Sequence, residues 1–249
     1  MNYIGDLNNQ SALTMPDAAF GAGLHTRLGN RWAVRYGANY GHVHSDDYIE
    51  LRNLSFRSKI IEGYAVAEFN FWNYGVGATD KPWVFYLYGG IGGFYFDPMA
   101  SYADIEGNLC WARLQPLHTE GQGSTAYPDR KPYRRLQLML PFGIGIKARI
   151  NKTFYVSVEY GFRKTWTDYL DDVSTTYAGT EMVQQTASDP ELAALLADRS
   201  GEVADGYVNA PGIKRGDDSL DDWYACLNVS LGINLETLFG WTRSKRCKL

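Results

Sequence analysis

Between positions 223 and 235 the chain alternates without a break. One set of positions reads Trp223, Ala225, Leu227, Val229, Leu231, Ile233 and Leu235, and the set between them reads Tyr224, Cys226, Asn228, Ser230, Gly232 and Asn234. Successive side chains of a β-strand point to opposite faces, so this segment makes a strand with one apolar face and one polar or small face. It is longer than the ~5–6 residues usual in globular domains and suits the ~9–11 that a tilted strand needs to cross a bilayer. The same grammar recurs over 136–150, 154–163, 32–40 and 20–28, and less cleanly over 61–71 and 83–96. No stretch approaches the ~18 uninterrupted apolar residues of a membrane helix, so any crossing must be made by strands.

The connections sort into two kinds. Short ones fall at 29–31, around 73–82 and at 151–153; long ones fall at about 5–17, 41–59, 97–135 and 166–222. Short and long alternate strictly, which gathers every long loop at one end, as in outer-membrane barrels with short periplasmic turns. An even strand number puts both termini in the periplasm. With seven strands visible, parity predicts an eighth at the N-terminus, truncated so that about Asn2 to Ile4 is present. The truncation also accounts for the lack of a secretory leader before Ile4-Gly5-Asp6. The expectation is an all-β, eight-stranded antiparallel transmembrane β-barrel over 1–235, followed by a basic periplasmic tail over 236–249.

A soluble barrel also alternates, but with its apolar face inward. Here the polar face carries Arg27, Arg35, Glu62, Glu68, Lys147, Arg149, Glu159 and Arg163, interspersed with Gly90, Gly92, Gly143, Gly145, Gly161 and Gly232. Small residues of this kind suit a narrow lumen, where they make room for Tyr and Arg. An eight-stranded barrel is just wide enough to be filled by side chains, and buried charges need partners, so these eight residues are expected to form a lumenal charge network that seals it. Aromatics reach 14%, including 18 Tyr and 7 Trp, residue types that favour interfaces between water and hydrocarbon. A net charge of −4 argues against nucleic acid as a partner.

Few motifs carry chemistry. Gly89-Gly90-Ile91-Gly92-Gly93 lies inside a strand with no following helix, so a phosphate-binding reading fails, and nothing else calls for a cofactor. His42 and His44 before Asp46-Asp47 lack a convincing third metal ligand. His118 and Glu120 are a possible loop-borne catalytic pair with no nucleophile to complete it. Asp168, Asp171 and Asp172 are weak candidates for Ca²⁺, because a hard cation wants oxygen ligands but their spacing is not that of an EF-hand. Asp189-Pro190-Glu191 signals a helix start running to Ala197. The tail holds Arg243, Lys245, Arg246 and Cys247; with Cys110 and Cys226 elsewhere, Cys247 is a candidate for an intermolecular disulfide.

Several stretches together resemble the PorG family, outer-membrane barrels of the type IX secretion system of Bacteroidetes. They are Tyr3-Ile4-Gly5-Asp6-Leu7-Asn8; Arg52-Asn53-Leu54-Ser55-Phe56-Arg57-Ser58 with Glu68-Phe69-Asn70-Phe71; Leu114-Gln115-Pro116-Leu117 with Thr119-Glu120-Gly121-Gln122-Gly123; Pro141-Phe142-Gly143; and Arg163-Lys164-Thr165 with Thr167-Asp168-Tyr169-Leu170-Asp171-Asp172-Val173-Ser174. The resemblance implies a non-enzymatic role in protein transport and gliding motility, docking the periplasmic PorK–PorN ring to the outer membrane. On that reading Arg243, Lys245, Arg246 and Cys247 are the expected partner contact. The alternatives are a small barrel enzyme acting on lipid or surface polymer, and a surface-binding or adhesin barrel.

Overall fold

The computed structural model describes residues 1–7, 17–74 and 81–235. The strands are β1 (Asn2–Ile4), β2 (Ala19–Arg27), β3 (Trp32–Asp46), β4 (Ser55–Asn70), β5 (Trp83–Ala103), β6 (Leu109–Arg113), β7 (Leu136–Arg149), β8 (Phe154–Thr165) and β9 (Trp223–Ile233). All pair antiparallel in one sheet, in the order β1-β9-β8-β7-β5-β4-β3-β2, with β6 pairing only β5. Two short helices, α1 (Thr180–Thr186) and α2 (Pro190–Ala197), lie in the connection between β8 and β9.

The path from β1 to β2 contains eight strands, among them the short N-terminal one expected from loop parity; β6 is a ninth that alternation did not reveal. Two connections are shorter than expected. The third strand runs to Asp46 and the fourth starts at Ser55, which cuts the 41–59 loop to 47–54. β5 runs on to Ala103 and folds back as a hairpin with β6, so that 97–103 and 109–113 are sheet. Asp104 shapes the hairpin tip: its carboxylate accepts from the Glu106 and Asn108 amides at 2.9 and 2.8 Å, and Gly107 takes a φ of 84°. The turn before β8 is built the same way, the Asn151 side chain accepting from the Thr153 and Phe154 amides at 2.8 Å each.

The reason for the longer strands is a change of polarity along them. In the middle and at the short-turn end the apolar residues face out, with Val229 73%, Leu138 71% and Ile91 69% exposed. Nearer the long loops the pattern inverts. Val43, Phe56, Ile60, Phe94, Phe96 and Ala100 turn inward and are buried, while His42, Arg57 and Lys59 take the other face. A reading that follows one apolar face stops at that inversion, although the backbone carries straight on.

The inverted region holds the hydrophobic core. Leu54, Leu114, Leu117, Leu170, Val173, Val183 and Leu196 descend from the long connections onto the inward residues of β3, β4 and β5, and Tyr3 and Tyr224 join them. Helix α2 begins as its sequence dictates: Asp189 caps it by accepting from the Leu192 amide at 3.1 Å, with Pro190 in the first turn, and it buries Ala193 and Leu196. The loops therefore form a packed lid over one end of the sheet.

Candidate functional site

Below the lid, the inward face is polar, and its charged residues on β4, β7 and β8 are buried. Glu68 is 0%, Arg163 1%, Glu62 1%, Glu159 2% and Lys147 3% exposed. Glu62 on β4 stands 3.1 Å from the Arg163 guanidinium on β8, and accepts from Asn39 on β3 at 2.6 Å and the Tyr224 hydroxyl on β9 at 2.5 Å. Arg35 on β3 reaches Glu159 on β8 at 2.8 Å and Glu68 on β4 at 3.1 Å. Lys147 on β7 donates to Glu68, and His25 on β2 lies 2.9 Å from the same carboxylate. Tyr86 and Asn228 donate to Glu159 at 2.8 and 3.1 Å.

Three carboxylates thus meet two arginines and one lysine. In the sheet order β3 and β8 are separated by three strands, so the Arg35–Glu159 contact requires the sheet to curl around this face. Small residues admit the large ones. A Cβ on Gly161 would sit 1.7 Å from the Tyr88 hydroxyl, and one on Gly232 would sit 2.0 Å from the Tyr155 ring. Six of the eight residues expected in a charge network are brought together in this way. Arg27 is exposed at the end of β2 and Arg149 is half-buried at the end of β7, so both stand at the short-turn margin.

The lid is organised around Glu120. This fully buried carboxylate accepts from the Ser174 amide at 2.9 Å, from the Thr175 amide and hydroxyl at 3.0 and 2.7 Å, and from Arg215 at 3.0 Å. Arg215, itself buried, also donates to the carbonyls of Asp172 and Ala197. Glu120 is a structural hub, and His118 takes a left-handed conformation with φ 50°. Burial lowers the His118 pKa.

The three aspartates proposed for calcium part company. Asp172 accepts from Thr119 and from Tyr133 at 2.5 and 2.7 Å, and Asp171 accepts from the Tyr3 hydroxyl at 2.5 Å. Asp168 is half-buried, and burial pushes its pKa up to about 9. Among the described residues no group of three or more His, Cys, Asp or Glu stands where it could hold a metal ion. His44 lies 2.7 Å from Asp17, while Asp47 binds Arg52, so these two residues of 42–47 have separate partners as well. Cys226 is buried on the inward face and Cys110 is half-buried on β6, both as free thiols. Arg243, Lys245, Arg246 and Cys247 lie outside the described residues.

Sequence reasoning missed Asp222. Its carboxylate lies 2.8 Å from the Tyr3 hydroxyl and accepts from the Leu170 amide at 2.9 Å, tying β1, the lid and the start of β9 together. The pair Asp221-Asp222 before Trp223 reads as a polar loop end, and nothing in the sequence singles out its second member. Comparison with known proteins adds no neighbour: no family model, no curated protein and no solved structure matches the chain.

Proposed function

We propose that the chain is a closed transmembrane β-barrel of a bacterial outer membrane that acts as a non-enzymatic anchor, docking the periplasmic PorK–PorN ring of a type IX secretion machine. The observation that carries the membrane reading is the orientation of the two faces. Ion pairs and tyrosines are enclosed, while Leu227, Val229, Leu231 and Ile233 on β9 and Leu136, Leu138 and Ile144 on β7 are exposed. In water that arrangement would leave a large apolar surface uncovered; in hydrocarbon it is the favourable one. Aromatic rings crowd the short-turn end, where Trp32 meets Phe69 at 5.1 Å, Trp72 meets Trp83 at 4.7 Å and Trp83 meets Phe85 at 5.4 Å. Such a girdle suits the interface between lipid headgroups and acyl chains.

On this reading the wall closes through β1. It pairs with β9 at Asn2 to Ile4, and on its other side Met1 and Asp17, just ahead of β2, exchange backbone hydrogen bonds of 2.9 and 2.5 Å. An unpaired sheet edge costs several kcal/mol per polar group in hydrocarbon, which favours a closed wall. The docking role rests on the resemblance spread along the chain. The packed ionic interior favours an anchor over a conduit, and the commitment of Glu120 to the lid gives the enzyme alternative no support.

The test is affinity purification of the tagged chain from detergent-solubilised outer membranes, with and without reductant. Two ring proteins should co-purify with the wild type and be lost on deletion of 241–249, while His118→Ala leaves them in place. Recovery of the chain in the soluble fraction would overturn the membrane reading, and purification of the barrel alone would overturn the docking role.

A further inference from the structure

We propose that Tyr3, Asp171 and Asp222 form a proton-held latch that fastens the N-terminal strand to the lid and opens when one carboxylic proton is lost. The argument starts from a count of hydrogens. The Tyr3 hydroxyl lies 2.5 Å from Asp171 Oδ2 and 2.8 Å from Asp222 Oδ1, and all three residues are almost wholly buried. The other oxygen of each carboxyl is already an acceptor, Asp171 Oδ1 from the Val173 amide at 2.9 Å and Asp222 Oδ2 from the Leu170 amide at 2.9 Å. A phenol has one proton to donate. Two short contacts to carboxyl oxygens therefore require a second, held on Asp171 Oδ2 or Asp222 Oδ1 and donated to the tyrosine oxygen.

The surroundings favour keeping it. Asp6 from the segment after β1 adds negative charge nearby, Asp168 from the lid is a further acidic group, and Tyr133 faces the site from the approach to β7. Two cations face the same region, Arg52 from the β3–β4 connection and Arg215 from the lid, but both are occupied. Arg52 donates to Asp47 and to the Asp6 and Arg215 carbonyls, while Arg215 donates to Glu120 and to the Asp172 and Ala197 carbonyls. Burial, with negative neighbours, raises both Asp171 and Asp222 above the ordinary carboxylate range. When the proton passes to a base in solvent, no covalent bond between heavy atoms changes. One carboxylate then keeps the tyrosine proton and the other becomes a buried anion without its tyrosine bond, a costly state relieved by moving β1 or the lid.

The sign follows from linkage. A carboxyl with a raised folded-state pKa stabilises the latch fully below its unfolded pKa, and that contribution is lost as pH rises through the folded value. Hydrogen exchange by mass spectrometry on the folded full chain, corrected for intrinsic rates, reads this directly. Protection of 2–4 and 168–173 should fall about ten-fold per pH unit over the alkaline range where the proton leaves. Asp222→Asn supplies a permanent N–H donor and should hold protection flat. Tyr3→Phe should show low protection at every pH. If Asp222→Asn does not fold, Asp171→Asn makes the same comparison, with an infrared carboxylic-acid band that loses the intensity of one carboxyl in the variant. Wild-type protection that does not change with pH, a variant that keeps the wild-type slope, or a band unchanged by either substitution would overturn the latch.

Discussion

Arg163 on β8 and Glu62 on β4 face each other across the enclosed side of the sheet, 3.1 Å apart and each about 1% exposed. Neither strand neighbours the other, so the pair reports the curl of the whole sheet. Removing one partner strands a buried charge, which typically costs about 3–5 kcal/mol, whereas removing both costs far less. Glu62→Leu or Arg163→Leu alone should therefore destabilise the folded chain more than the two combined. Denaturant titration in detergent decides it: single and double changes that simply add would mean the pair is not coupled.

Gly161 and Tyr88 make a second test of the enclosed face. A Cβ at Gly161 would meet the Tyr88 hydroxyl oxygen at 1.7 Å and its ring at 2.8 Å. Gly161→Ala should cost about 1–3 kcal/mol as an overpacked site. Adding Tyr88→Phe should recover part of that loss, since the closest atom is gone. No recovery in melting temperature would place the strain elsewhere.

The outward face separates a bilayer from water. Val229, 73% exposed near the middle of β9, should tolerate arginine in a soluble protein. Facing hydrocarbon, Val229→Arg should cost about 2–4 kcal/mol, falling toward zero nearer the interfaces. Folding yields into lipid vesicles, compared with Ile233→Arg at the strand end, measure the depth dependence. Equal and negligible effects would count against the membrane reading.

Burial holds Asp172 at a pKa of about 6, even though Thr119 and Tyr133 donate to it and Arg215 lies close. Because the folded value lies above the ordinary one, this carboxyl stabilises the lid fully at acid pH and loses that contribution as pH rises toward and through about 6. Asp172→Asn should flatten that part of the slope. Melting curves across the window, variant against wild type, provide the check.

Asp189 is the simplest case. Its side chain satisfies the Leu192 amide at the start of α2, and Asp189→Ala should cost about 1 kcal/mol in lid stability. Native-state hydrogen exchange should show the loss confined to the lid while the sheet amides are unchanged.

That helix was legible because its cap Asp189 and its Pro190 act within one turn. The central strands were legible for a similar reason, since Leu227 to Ile233 and Leu136 to Ile146 carry their orientation in a two-residue period. The upper half of β3 was not, because Val43 and His42 exchange the roles that Tyr40 and Gly41 hold below them. β6 escaped notice as well: Leu109 and Trp111 alternate over five residues, too few to stand out from a loop. The charge network could be named from the polar face but not paired. Nothing in the sequence joins Arg35 to Glu159 rather than to another glutamate.

The chain's own pattern determined which side chains share a face, how the long and short connections alternate and where local turns begin, because these depend on neighbours a few residues apart. Only the tertiary structure decided which carboxylate meets which guanidinium, and that Tyr3 meets Asp171 and Asp222. Those contacts join residues separated by 168 and 219 positions, and they depend on the curl of a sheet whose geometry no local segment contains.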